Sequence, residues 1–178
     1  MLFVLALSCS VITDTALKIR YNVTFPLSCF LSSLAYIVLT FHSNNIDFVT
    51  KGLILTQCLV PASIIDFKTR EIPDWIHVLL ILVGLIRLNL PYSLIGALVI
   101  FVPCLIFTMI SKGEIGGGDI KLLTACGFVL GLTGIVLGSI VGLTLFCTIH
   151  LLLHDHKKRH AMAPCISVGC FFAYLLIY

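Results

Sequence analysis

Charge is scarce in this sequence. Only 11% of its 178 residues are charged, 60% are hydrophobic, and the mean hydropathy is +1.15. A soluble domain carries about a quarter charged residues. This chain cannot cover itself with polar groups, so lipid is its expected main solvent. Stretches of about ten residues alternating in polarity are missing, which argues against a membrane β-barrel. No C-x-x-C pair occurs among the eight cysteines, Cys9, Cys29, Cys58, Cys104, Cys126, Cys147, Cys165 and Cys170. They sit singly in apolar segments and read as small buried hydrophobes rather than zinc ligands. No basic patch is interleaved with aromatics, which argues against nucleic acid as a partner. Met1 to Leu7 has no basic n-region, and no small-residue cleavage site leading into a soluble domain follows. This stretch therefore reads as the first transmembrane helix rather than a signal peptide.

Long apolar runs are what the chain has. They predict eight segments, roughly 1–17, 23–41, 49–66, 75–90, 92–111, 120–131, 133–153 and 161–178. A membrane span needs about 20 residues, so 75–90 and 120–131 are short, and the latter suits a half-helix inside the bundle. The expected fold class is all-α, a polytopic integral membrane helix bundle. Every loop is short, so the expectation is a single membrane-embedded domain over residues 1–178. With the N-terminus outside, the inside ends hold Lys18, Arg20, Lys68, Arg70, Lys112, Lys121, Lys157, Lys158 and Arg159. Only Lys51 and Arg87 fall outside. This is the positive-inside bias, and it puts Asp66 and Asp119 at the cytoplasmic side.

Glycines recur every four residues at Gly127 and Gly131, then at Gly134, Gly138 and Gly142. Such small-xxx-small spacing lets membrane helices approach closely. It would press the helix that follows Asp119 against its neighbours.

Two acidic motifs carry the chemistry. Asp66 opens the run Asp-Phe-Lys-Thr-Arg-Glu-Ile-Pro-Asp, ending at Asp74, and Asp119 follows Gly116, Gly117 and Gly118 and precedes Ile120 and Lys121. Ionisable groups at membrane depth are costly and tend to face a cavity or a partner. Two carboxylates a few ångströms apart cannot both ionise easily and can share one proton. The ionised one then activates water and the protonated one polarises a carbonyl, with no metal and no cofactor. The glycines permit unusual dihedrals and leave room for an extended substrate backbone beside Asp119. The plainer alternative is that both aspartates mark helix ends, each near a lysine, Lys68 or Lys121.

These two motifs resemble the signatures of the aspartic prepilin peptidases, polytopic membrane proteases of the G-x-G-D type. The resemblance runs from about Gly52 to Tyr178, and the stretch His160 to Gly169, with Pro164 and Gly169, is similar to the start of that family's last helix. It implies Asp66 and Asp119 as the catalytic pair, with Gly116 and Gly118 in the second motif. It implies an endopeptidase that removes the short basic leader of pilin-like precursors at a glycine before a hydrophobic helix. The cut would be made at the cytoplasmic face of a bacterial inner membrane. Longer members carry two zinc-binding C-x-x-C pairs in the loop after the first helix and also N-methylate the new amino terminus. Here that loop is about Lys18 to Asn22 and holds no cysteine, so the chain resembles the short, peptidase-only branch.

The other polar residues have local readings. Asp74 is expected to cap the helix beginning at Trp75, or to support the site, as do Gly117 and Lys121. Asp14 could pair with Lys18 one turn on. Glu114 reads as a solvated loop residue. His150, His154, His156 and His160 read as an interfacial polar cluster rather than a metal site. Two further function classes compete: a small proton-coupled transporter using the aspartates as a relay, and a non-catalytic assembly subunit. A transporter should show an internal repeat with paired broken segments, and no convincing one is found.

Overall fold

A computed structural model describes residues 1–22, 26–43, 45–86, 89–110, 116–153 and 161–177. Arg87, Lys112, Glu114, His154, His156, Lys157, Lys158, Arg159 and His160, named above, lie outside the described residues. The described chain is all helical: α1 Leu2–Tyr21, α2 Leu27–His42, α3 Ile46–Thr69, α4 Asp74–Gly84, α5 Leu90–Ile110, α6 Gly117–Leu153 and α7 Ala163–Ile177. Four of them, α1, α3, α5 and α6, are long and apolar enough to cross a membrane. The core is built around α3, where Leu39, Leu55, Ile65, Ile76, Leu122, Ile166 and Tyr174 are almost fully enclosed. Most of α5, by contrast, leaves its large side chains exposed, among them Leu98, Phe101 and Ile106. In lipid that outward face costs nothing. The hydroxyls of Ser8, Thr13 and Thr15 bond back to carbonyls of their own helix, so few polar groups need outside partners.

Seven helices stand where eight segments are expected, and the difference lies at Gly131. Segments 120–131 and 133–153 are two arms of α6, broken at Gly131 with φ 68° and ψ −174°. That conformation is open essentially to glycine alone. The chain doubles back there. Cys126, before the break, lies beside Cys170 of α7, and Gly138, after it, also lies against Cys170. A straight helix would hold residues 126 and 138 about 18 Å apart. Beyond the break, the Thr133 N–H donates to the Tyr92 hydroxyl at 3.2 Å, and that hydroxyl also hydrogen bonds Thr133 Oγ1. The Tyr92 ring occupies the space a Cβ on Gly131 would take.

The glycine stripe packs helices. A Cβ on Gly96 would come within 2.5 Å of the Gly127 carbonyl, and one on Gly127 within 2.6 Å of the Gly96 carbonyl. A Cβ on Gly169 would come within 2.6 Å of Gly142 N. The first arm is thus pressed on α5 and the second on α7, backbone to backbone.

Asp14 does not serve Lys18. Its carboxylate accepts from the backbone N–H groups of Ser28 at 3.1 Å and Cys29 at 3.0 Å. The reason is that α2 begins behind Pro26, which offers no side-chain cap, so its first N–H groups need an acceptor. Asp14 supplies it from α1 and also brings negative charge to a helix N-terminus. Lys68 does the complementary work. Its Nζ donates to the Tyr21 and Asn22 carbonyls at 2.8 Å each, closing the C-terminal end of α1. One end of the bundle therefore gathers the C-termini of α1 and α3 and the N-termini of α2, α4, α6 and α7.

Candidate active site

Asp66 lies in the last turn of α3, and its side chain is turned inward, 5% exposed. Its Oδ2 accepts from the backbone N–H of Ala163 at 3.0 Å. Ala163 is the first residue of α7, and the next, Pro164, has no N–H. The carboxylate thus meets a group that would otherwise be orphaned at a helix start. The same residue's backbone carbonyl accepts from Arg70 N at 2.9 Å, where the chain turns out of α3 through a left-handed Arg70. Only Glu71, Ile72 and Pro73 then separate it from α4.

Asp119 lies in the first turn of α6. Its N–H donates to the Gly116 carbonyl at 3.0 Å. Its Oδ1 is buried without a hydrogen-bond partner. Asp66 is close enough for its charge to act on Asp119. Two carboxyls from distant parts of the sequence thus stand near each other, Asp66 tied through Oδ2 to the start of α7 and Asp119 with a buried oxygen that has no hydrogen-bond partner.

The glycines act by size rather than by dihedral. Among the described residues Gly131 is the one glycine with positive φ, so Gly116, Gly117 and Gly118 do not use the freedom expected of them. The helix starts in ordinary geometry and requires none. A Cβ on Gly116 would lie 3.1 Å from Asp119 Oδ2, so that glycine leaves the carboxylate its place. A Cβ on Gly117 would meet nothing, and one on Gly118 would make ordinary contact with Ile72.

Asp74 is not the cap of the helix after it. The helix includes Asp74, the cap position is Pro73, and no side-chain capping bond is made. Instead its Oδ1 pairs with Lys121 Nζ at 2.8 Å, across 47 residues. Lys121 holds the Asp74 carboxyl below the usual carboxylate range, by the hydrogen bond first and by its charge second. A proline already supplies the fixed backbone that a helix start needs, which leaves the aspartate free to reach α6.

Sequence reasoning did not single out His77. It is one turn beyond Asp74 and 7% exposed, and its Nε2 lies 3.2 Å from the Gly118 carbonyl. Its Nδ1 is 3.8 Å from Asp74 Oδ1. The signal available was a histidine inside an apolar run, three residues from a motif aspartate. Among the described residues no group of three His, Cys, Asp or Glu side chains could hold a metal ion. A cavity of about 550 Å³ between α2, α3 and α7 is apolar, with Lys68 on its rim and neither aspartate in its lining.

The family model for the Type IV leader peptidase family matches residues 53–154. The prepilin leader peptidase/N-methyltransferase of Neisseria gonorrhoeae is 27% identical over 172 residues, covering 88% of this chain and 57% of that protein. The chain therefore spans little more than half the length of that curated relative. No solved structure matches.

Proposed function

We propose that this chain, which belongs to the type IV leader peptidase family, is a membrane-embedded aspartic endopeptidase acting on pilin-like precursors. Asp66 and Asp119 share a proton and form the catalytic pair. The ionised carboxylate takes a proton from water, and the water oxygen attacks the scissile carbonyl. The protonated carboxyl meanwhile polarises that carbonyl. Collapse of the tetrahedral intermediate then breaks the C–N bond, and the leaving amine takes up the proton. The observation that carries this reading is the nearness of the two carboxyls, with Asp119 Oδ1 buried and without a hydrogen-bond partner. The relative's printed name supports the substrate class, a prepilin leader. The basic residues Lys18, Arg20, Lys68, Arg70 and Lys121 at the same end of the bundle support a cytoplasmic-face site in a bacterial membrane. No step in this scheme uses a cofactor or a metal.

The test is cleavage of a purified pilin-like precursor by the detergent-solubilised chain. Cleavage after the leader glycine is expected for the wild type. Asp66→Asn and Asp119→Asn should each lose about 10²- to 10⁴-fold or more, the usual worth of a general acid or base. Cleavage by either variant at the wild-type rate would end the aspartic reading.

A further inference from the structure

We infer that His77 is a positioning residue, which holds the turn carrying Asp119 against α4. The inference rests on the aspartic reading for its consequence in catalysis, though not for the contact itself. An imidazole enclosed at 7% exposure costs free energy unless it is hydrogen bonded. In an apolar helix such as α4, a leucine would fill the same space without that cost. One ring nitrogen meets that need: Nε2 reaches the Gly118 carbonyl at 3.2 Å, whereas Nδ1 is buried without a hydrogen-bond partner. A carbonyl only accepts, so Nε2 carries the proton and donates. Gly118 is the residue directly before Asp119.

Two residues beyond Asp119, Lys121 is tied to Asp74, also on α4. The first turn of α6 is thus gripped by α4 on both sides of the aspartate. The two grips are unequal. Asp74 and Lys121 are 79% and 59% exposed in their side chains, and an exposed ion pair contributes little. The enclosed His77 bond is the one that sets position. Because only Arg70, Glu71, Ile72 and Pro73 join α3 to α4, fixing α4 on α6 also fixes Asp119 relative to Asp66. His77 hydrogen bonds neither carboxyl of the pair, so its effect on chemistry would pass through geometry.

The experiment compares His77→Gln, His77→Leu and His77→Asn in the full chain, with Asp119→Asn as reference. A glutamine amide reaches about as far as Nε2 and can donate to Gly118. A leucine fills the space without donating, and an asparagine donates but is too short. If His77 positions the turn, His77→Gln keeps kcat within about threefold, while His77→Leu and His77→Asn lose about 10- to 100-fold. That is the scale of an ångström-level misplacement. KM should be unchanged in all three. A purely packing role predicts the opposite order, with leucine the best tolerated, and that order would overturn the inference. If His77→Leu does not accumulate, the Gln and Asn variants carry the test, and equal activity in them overturns it. Amide hydrogen exchange over residues 117–122 is read alongside. It should quicken in the Leu and Asn variants but not in Gln, whether or not precursor is cleaved. Unaltered exchange in all three would sink the positioning role, and cleavage by Asp119→Asn would sink only the aspartic reading.

Discussion

Replacing Gly131 with alanine should damage the fold more than any other single methyl group added to the glycine stripe. The backbone there sits at φ 68° and ψ −174°. Holding a non-glycine residue in such a conformation costs about 1–3 kcal/mol. The new Cβ would also land in the Tyr92 ring. Forcing a well-packed side chain aside costs about another 1–3 kcal/mol. The expected loss is therefore about 2–6 kcal/mol, a large fraction of a domain's stability. Unfolding by dodecyl sulfate in mixed micelles would measure it, with Gly117→Ala as the reference, since a Cβ there meets nothing. A double-mutant cycle with Tyr92→Ala separates the two causes: the smaller ring partner relieves the clash and leaves the dihedral strain. Stability within about 0.5 kcal/mol of wild type, the scatter of an inert surface change, would refute the claim that α6 turns on glycine geometry.

Two further outcomes follow from neighbouring contacts. Gly116→Ala should lower precursor cleavage by about tenfold at unchanged stability, because its Cβ would crowd Asp119 Oδ2 at 3.1 Å. Gly117→Ala should cleave as wild type, and equal rates for the two variants would contradict the size argument. Asp14→Ala should destabilise the bundle by about 1–2 kcal/mol through loss of the α2 cap. Lys18→Ala should be nearly neutral in the same denaturation, and a cost equal to that of Asp14→Ala would restore the local ion pair.

Apolar runs made the helices legible, because composition alone forces a lipid-facing chain to be helical. The four-residue glycine spacing announced close packing, and Gly96 and Gly169 supplied the opposing backbones. That Asp66 and Asp119 stand at one end of the bundle was legible because each bounds an apolar segment beside basic residues on the same side. What was not legible is partner choice. Asp14 had a lysine one turn away in sequence and took the N–H groups of another helix instead. Asp74 looked like a local cap and reached Lys121, 47 residues on. Both outcomes depend on which helix ends meet, and hydropathy does not encode that. His77 was visible as a histidine in an apolar run, but its acceptor is a backbone carbonyl and carries no side-chain signature.

The short elements beside the site set the shape of the surrounding lipid. From Asp74 to Gly84, α4 has 11 residues, a rise of about 16 Å. The arm of α6 ahead of Gly131 rises about 21 Å by the same measure. Hydrocarbon about 30 Å thick cannot be matched by either, whereas α3 and α5, at 24 and 21 residues, match it. Such a shortfall is met by local thinning of the bilayer, by snorkelling of flanking residues or by cover from neighbouring helices, at a cost of a fraction of a kcal/mol for each ångström of mismatch. Acyl-chain length in the host membrane is therefore expected to bear on the stability of this side of the bundle, where α4 and the first arm of α6 carry Asp74 and Asp119.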